Sequence, residues 1–194
     1  MSDDARGSHL VPSLLCDHEA SRLAVIMRRA KGQVHIFTFK DGVLARLAHD
    51  LRIRLERFDI TLDGDAVRGE FDLKSLLVDG PVQDGVVKAD EYDASKKAEV
   101  QKAMHEDVLH SDQHPTARFA GKAVPDGEGF KVSGDLTLKG ATQPLAFAVR
   151  KEGGTYRGQI EFEPSRWGIE QYKALLGAIK LKDIVRVEFA FQDA

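Results

Sequence analysis

The sequence of 194 residues has one cysteine, Cys16, which excludes an intrachain disulfide. It has no excess of positive charge, because 28 basic residues stand against 31 acidic ones and the formal net charge is -3. Nucleic-acid partners are not expected, since binding to phosphates needs clustered cationic surface. No apolar run approaches the roughly 18 residues of a membrane-spanning helix, so no transmembrane segment is expected either.

The N-terminus also lacks the features of an export signal. Asp3 and Asp4 stand where a basic region is expected, and the apolar runs that follow are too short for a signal sequence. The sequence therefore predicts a cytoplasmic protein, with residues 1–30 as a loosely ordered leader and residues 31–194 as one domain. A domain of this size buries roughly 70% of its unfolded surface, so it needs no metal or disulfide for stability.

Short alternating segments make up most of the chain from residue 33 onward. In "LRIRLERF", Leu51, Ile53 and Leu55 alternate with charged residues, which is typical of a strand with one buried face. Asp63-Gly64, Lys139-Gly140, Gly153-Gly154 and similar pairs supply turn chemistry between segments. The other predicted strands are Gln33 to Phe39, Asp59 to Leu62, Val67 to Leu73, Thr116 to Val124, Phe130 to Leu138, Leu145 to Arg150, Tyr156 to Glu163 and Ile184 to Phe191.

One segment has helical periodicity instead. Val100, Met104 and Val108 recur every four residues in "DASKKAEVQKAMHEDVL", and Pro115 follows soon after, which predicts a helix near residues 95–109. A weaker helical or irregular segment is "EQYKALLGAIK", whose apolar run from Leu175 to Ile179 serves either as a plug or as a lid at one end of the fold.

The predicted fold is all-β, an antiparallel lipocalin-like barrel of about eight strands with this one helix inserted. Closure hides the edges of single-sided strands most completely, and a two-sheet sandwich is the alternative. Extending the strand registers places Gly69, Gly121, Gly134 and Gly158 on the inward face. These glycines either make room for a ligand or act as bend points that let the sheet curl.

Three phrases in this chain resemble the YceI-like family, and their order matches as well. They are "HDLRI" (His49 to Ile53), "LHSDQHPTARF" (Leu109 to Phe119) and "FKVSGDLTLKGATQPLAF" (Phe130 to Phe147). The resemblance covers roughly residues 34 to 192. It implies a lipocalin-like barrel with an internal apolar channel for a polyisoprenoid chain, and a lipid-binding protein instead of an enzyme.

The expected function is therefore binding, storage or transport of a long hydrophobic ligand, isoprenoid or a related lipid, with no catalytic residue, metal or cofactor required. The ligand is the expected partner, and a homodimer is left open. The predicted ligand-binding residues are Leu51, Ile53, Leu55, Gly69, Phe71, Phe119, Gly121, Phe130, Val132, Gly134, Leu136, Phe147, Gly158, Ile160, Phe162, Trp167, Leu176, Val187 and Phe189.

Two other functions fit the sequence. His105, His110 and His114 lie within ten positions beside acidic residues, so they could hold zinc in a metal-dependent enzyme. The simpler interpretation is that these histidines cap the helix end or bond the backbone. The third function is a stress-related interaction module whose barrel is filled by its own side chains.

Overall fold

The computed structural model describes residues 28–29, 31–41, 49–174 and 179–192 of the chain. Most of the expected leader, including Cys16, lies outside these ranges. The strands are β1 (Arg28–Arg29), β2 (Lys31–Asp41), β3 (Asp50–Leu55), β4 (Phe58–Asp63), β5 (Ala66–Asp72), β6 (Leu76–Gln83), β7 (Val86–Val87), β8 (Thr116–Asp126), β9 (Gly129–Leu138), β10 (Ala141–Glu152), β11 (Thr155–Phe162), β12 (Lys173–Ala174) and β13 (Ile179–Gln192).

These thirteen strands form one antiparallel sheet within the described ranges. Twelve of them follow the order β1-β4-β5-β8-β9-β10-β11-β13-β2-β3-β6-β7, and β12 pairs with β13 outside this path. The prediction of a mostly β, antiparallel fold is confirmed. The predicted count of about eight strands is too low, partly because β1, β7 and β12 have only two residues each. A single continuous ladder also replaces the two separate sheets of a sandwich.

The sheet curls so that its two ends approach each other at one corner. The chain leaves β3 near one end of the sheet and enters β4 near the other end after only Glu56 and Arg57. The backbone N–H of Glu56 donates to the Ser75 carbonyl at 3.3 Å, and the backbone N–H of Arg57 donates to the Ser75 hydroxyl at 2.9 Å. Elsewhere the described residues form no ladder between β4 and β6. The helical segment also holds β6, through hydrogen bonds of Gln101 to the Val78 backbone N–H and of His105 to the Leu76 carbonyl.

Two tight hairpins show why the predicted turns form. Lys139 and Gly140 have φ of 49° and 80°, and Gly153 and Gly154 have φ of 54° and 85°. Positive φ at both central residues is the type I′ geometry, whose twist matches that of the flanking strands. Both predicted turns are confirmed, and Lys139 accepts the left-handed conformation that glycine adopts more easily.

The region around β6 departs most from the sequence prediction. "LLVDGPVQ" forms β6, although Asp79, Gly80 and Pro81 have the composition of a turn. The pairing of β6 with β3 shifts between Arg52 and Ile53, and such an irregularity is where a strand tolerates proline. The stretch "LRIRLERF", predicted as one strand, is split between β3 and β4.

The helical segment lies where the periodicity predicts it. Helix α1 (Ala94–Ala103) begins after Asp93, whose carboxylate accepts the backbone N–H of Lys96 at 2.7 Å, and continues as a π-helical turn from Met104 to Leu109. His110 ends the turn in a left-handed conformation, with φ of 49°. Short 3-10 turns cover Leu73–Ser75, Ala89–Glu91 and Pro164–Trp167. In the described ranges, no helix has both the length and the apolar character needed to cross a bilayer.

The second segment, predicted as helical or irregular, has no helix among its described residues: residues 170–172 are irregular, and strands lie on either side of residues 175–178. Lys173 and Ala174 pair with Lys180 and Ile179 as the antiparallel strands β12 and β13. Residues 175–178 lie outside the described ranges, and with them the proposed plug or lid and the predicted ligand-binding residue Leu176.

Candidate functional site

The inward face of the curled sheet encloses a cavity of about 390 Å³. Alternate residues of the longer strands line it, as the two-residue period of a strand requires. Examples are Val34, Ile36 and Thr38 from β2, and Val187 and Phe189 from β13. Small-molecule sites in proteins occupy roughly 300 to 1,000 Å³, so the volume is sufficient for a ligand.

The cavity wall is almost wholly apolar. Of the described residues that line it, none is Lys, Arg, His, Asp or Glu, and only Thr38, Tyr156 and Gln192 carry a polar side-chain group. A buried charge without a partner is strongly unfavourable in such surroundings. The site is therefore suited to an apolar molecule and unsuited to an ionised one.

Phenylalanine rings form a continuous ladder along this wall. Phe119 and Phe147 have ring centroids 5.8 Å apart, Phe147 and Phe189 are also 5.8 Å apart, and Phe189 and Phe191 stack at 5.0 Å with an interplanar angle of 16°. These four residues, the phenylalanine ladder, all line the cavity. They provide a broad apolar contact surface with few rotatable bonds.

Two of the inward-facing glycines lie against aromatic rings of the protein. A Cβ added at Gly69 would lie 2.7 Å from the Phe71 ring, and one at Gly158 would collide with the Phe189 ring. Two of the four glycines therefore accommodate aromatic rings of the protein itself. The two rings pack against the backbone in the space that a side chain at the glycine would fill. The glycines therefore enlarge the cavity only indirectly.

Gly121 and Gly134 allow the sheet to bend. They face each other across β8 and β9, and a Cβ on either would collide with backbone atoms of the opposite strand. Gly134, for example, would place its Cβ 2.9 Å from the carbonyl carbon of Ala120. This close approach of the two strands favours the interpretation as bend points for this pair, and neither residue lines the cavity.

Most of the predicted ligand-binding residues come together around the cavity. Those that line it are Ile53, Leu55, Gly69, Phe71, Phe119, Phe130, Val132, Leu136, Phe147, Ile160, Phe162, Val187 and Phe189. Those that do not are Leu51, Gly121, Gly134, Gly158 and Trp167. Direct contact with a ligand stays a prediction for the first group.

Trp167 is a structural residue behind the wall. It is 1% exposed, its indole N–H donates to the Leu136 carbonyl at 2.8 Å, and its ring meets Phe162 edge-on at 5.0 Å. The 3-10 turn that carries it also places Pro164 and Ile169 against the cavity. Trp167 therefore fixes one end of the cavity without lining it.

The π-helical turn contributes to the same end. Met104, Val108 and Leu109 line the cavity, and the Val108 carbonyl accepts a hydrogen bond from Lys139 Nζ at 3.1 Å. Because Lys139 belongs to the β9-β10 turn and Leu136 to the end of β9, the helical turn and the Trp167 turn lie beside the same hairpin. We call this the helical end of the cavity.

The histidine cluster has structural partners. His105 Nε2 lies 3.2 Å from the Leu76 carbonyl and its Nδ1 lies 3.0 Å from the Ser111 hydroxyl. A carbonyl only accepts, so Nε2 carries the proton and Nδ1 accepts from Ser111. Among the residues described, no three His, Cys, Asp or Glu side chains are placed to hold a metal ion.

A network of charged side chains lies on the outer face of the sheet. Asp79 is 8% exposed and accepts from Arg52 Nε at 2.7 Å and from Arg54 Nη1 at 2.5 Å. Nearby, burial together with the Arg52 charge lowers the pKa of His35, although the Asp79 and Glu188 charges oppose this shift. This network stabilises the wall from outside and does not reach the cavity lining.

Several lining residues were absent from the predicted site. Val34, Ile36 and Thr38 alternate on β2. This strand was predicted, so its two-residue period already indicated that the three residues share one face. Leu109 was harder to find, because a π-helical turn departs from the 3.6-residue period and brings adjacent residues Val108 and Leu109 to one cavity.

Comparisons with known proteins agree with this architecture. A family model described as the YceI-like domain matches residues 50–192. Proteins named YceI from Escherichia coli O17:K52:H18 (strain UMN026 / ExPEC) and Shigella flexneri are each 35% identical over 78 residues, or 40% of this chain. The matched segment spans 37% of the length of those relatives.

Two solved structures have a similar fold. The chain superposes on BcnA of Burkholderia cenocepacia with a TM-score of 0.57 and 16% identity, covering 82% of this chain and 94% of that one. It superposes on a Campylobacter jejuni YCEI protein with a TM-score of 0.50 and 11% identity, covering 73% and 84% respectively. At these identities the likeness describes the fold.

Proposed function

Because this chain belongs to the YceI-like family, we propose that its curled sheet acts as a barrel that binds a long hydrophobic chain, isoprenoid or a related lipid. The observation that carries this proposal is the uncharged cavity of about 390 Å³ with the phenylalanine ladder along its wall. The ligand is stored or transported there and is not chemically altered.

Burial of the chain supplies the binding free energy. Each methylene transferred from water to an apolar site contributes about 0.8 kcal/mol, so affinity grows with the length of chain enclosed. Ordering of the ligand and loss of its overall freedom offset part of this gain. The free energy gained by burial differs little between unbranched and isoprenoid chains, so the wall favours hydrophobic chains as a class.

The proposed role needs no catalytic group. Among the described residues of the cavity wall, Tyr156 has the only ionisable side chain, and both ring nitrogens of His105 are hydrogen-bonded to protein atoms. General acid and base catalysis would need a titratable group within hydrogen-bond reach of the substrate. These observations favour a binding protein over the histidine-dependent enzyme.

Organic extraction of the purified protein, followed by mass spectrometry, tests this function. We expect a terpenoid or acyl species at near-equimolar yield, and we expect the extracted protein to take up an added isoprenoid alcohol to the same stoichiometry. An extract without lipid, from protein that also takes up none of the added alcohol, would contradict the proposal.

A further inference from the structure

The described residues cover the two ends of the cavity differently. At the helical end, residues of the π-helical turn and of the Trp167 turn form part of the wall, and the lining residues Leu136, Leu138 and Ile169 are each no more than 8% exposed. At the other end, the connections β4-β5, β8-β9 and β10-β11 each leave only two residues outside the paired strands. Two residues span at most about 7 Å, which joins neighbouring strands but does not cross an opening. We call this the hairpin end.

The lining residues at the hairpin end are in partial contact with solvent. Leu62, Val67, Phe130, Val149 and Tyr156 line the cavity there, and each is only partly buried. The hairpin end is therefore the more open one. Because the wall is almost wholly apolar, a polar head group would lose its hydration inside the cavity and stays at this opening.

Lys151 is the first charged residue beyond the wall on the inward face of β10. It follows the lining residue Val149 by two positions and lies opposite Tyr156 of β11, so the three side chains are on one face. Its Nζ lies 5.2 Å from the centroid of the Tyr156 ring, and the centroid of that ring lies 6.1 Å from that of Phe130. A cation–π contact thus holds the Lys151 ammonium group beside two aromatic residues of the cavity wall.

The charge of Lys151 has no counter-charge in the part of the chain that the structure describes. Two carboxylates of the same end have other partners: Glu152 pairs with Arg157 at 3.5 Å, and Asp126 pairs with Lys131 at 3.2 Å. Lys151 itself is exposed and forms no ion pair with a described residue. An anion at the opening would therefore find a cation that no protein carboxylate already occupies.

We infer that Lys151 binds the anionic head group of a single-chain lipid, a carboxylate or a phosphate, whose hydrocarbon chain enters the cavity from the hairpin end. This inference rests on the proposed function and specifies the ligand class and its orientation. An ionised group is unfavourable within the wall, but at the opening it stays hydrated and faces Lys151. The lysine ammonium is a compact point charge, so it attracts both kinds of acid.

Lys40 provides the comparison at the opposite end. It follows the lining residue Thr38 by two positions on β2. Thr38 lies toward the helical end, because it is opposite Val185, and Val185 pairs with Phe162, the ring that meets Trp167. A ligand bound in the reverse orientation would place its head group toward Lys40.

A competition experiment separates the head-group contact from burial of the chain. The probes are dodecanoate, dodecyl phosphate and 1-dodecanol at pH 8 and low ionic strength, each displacing the dye N-phenyl-1-naphthylamine from delipidated protein. The test variants are Lys151→Gln, Lys151→Glu and Lys151→Arg, and Lys40→Gln tests the other end. The matched control is Lys131→Gln, which removes an exposed charge from the outer face at the hairpin end.

The inference predicts a loss of affinity for the acids alone. Lys151→Gln weakens binding of dodecanoate and dodecyl phosphate roughly two- to fivefold, the value of an exposed ion pair, and leaves 1-dodecanol binding unchanged. Lys151→Glu weakens binding of the acids further, and Lys151→Arg retains it. Added salt reduces these losses, because it screens exposed charges. Lys40→Gln and Lys131→Gln leave the ratio of acid affinity to alcohol affinity unchanged. The acid that wild-type protein binds more tightly identifies the head group.

Two results would overturn the inference with the proposed function intact. One is an equal effect of Lys151→Gln on the acids and on 1-dodecanol, including no effect on any of them. The other is a selective loss of acid binding in Lys40→Gln, which would place the head group at the helical end. If none of the three probes displaces the dye from wild-type protein, the proposed function fails and the inference with it.

Discussion

Filling the cavity from its wall should stabilise the protein and abolish binding. Ala117 is 5% exposed and lines the cavity from β8. Ala117→Leu adds three carbon atoms there, which at about 0.8 kcal/mol each gives an upper limit of about 2.4 kcal/mol. Imperfect packing reduces this gain, so we expect the free energy of unfolding of the delipidated protein to rise by about 1 to 2 kcal/mol.

The same substitution should reduce the affinity of the cavity for the fluorescent dye N-phenyl-1-naphthylamine at least tenfold, because the new side chain occupies ligand space. Ala120→Leu is the matched control, since Ala120 is exposed on the outer face of the same strand. We expect it to change the stability by no more than about 0.5 kcal/mol and to leave dye binding intact. Urea denaturation and dye titration of the three proteins measure both effects.

One result would refute this reasoning directly. If Ala117→Leu instead lowers the free energy of unfolding by about 1 to 3 kcal/mol, the space beside Ala117 is already filled and the substitution overpacks it. Unchanged dye affinity in a folded Ala117→Leu variant would place the dye elsewhere on the protein.

Three other experiments test the account of the wall and its outer face. Asp79→Ala should lower the free energy of unfolding by about 2 kcal/mol in urea denaturation, because it leaves two partly exposed arginines without their buried acceptor; no loss would mean that the pairs contribute nothing. The pKa of His35 is lowered by burial, so as the pH falls this histidine is protonated in the unfolded chain before it is protonated in the folded protein. Stability is therefore lost as the pH falls below about 6.5. His35→Asn should therefore reduce the fall in urea midpoint between pH 7.5 and 5.5, whereas an undiminished fall would assign it to other groups. Gly134→Ala should destabilise the protein more than Gly69→Ala, since its Cβ meets backbone and not a movable ring; the reverse order in thermal denaturation would contradict the bend.

The sequence pattern predicted those elements whose local chemistry agrees with the final fold. Alternation identified β3, and Lys139-Gly140 formed the expected type I′ turn because its positive φ values suit the twist of a hairpin. The helix also formed where the four-residue period placed it, starting one residue earlier than expected. In each case the residues that determine the element lie within it.

Elements that depend on distant partners were missed. The turn-like sequence around Gly80 forms β6 because β3 pairs with it and tolerates an irregular register there. The inward direction of the four glycines was predicted, but not what occupies the space beside them. Whether a glycine faces a ligand, an aromatic ring or a neighbouring backbone depends on side chains and strands brought together only by the tertiary fold.

The most direct measurement is a crystal structure of the delipidated protein loaded with 12-bromododecan-1-ol, using the anomalous signal of bromine to locate the chain. The account predicts one bromine peak inside the cavity, beside the phenylalanine ladder. Bromine peaks only on the outer surface, with the cavity occupied by the protein's own side chains, would contradict it.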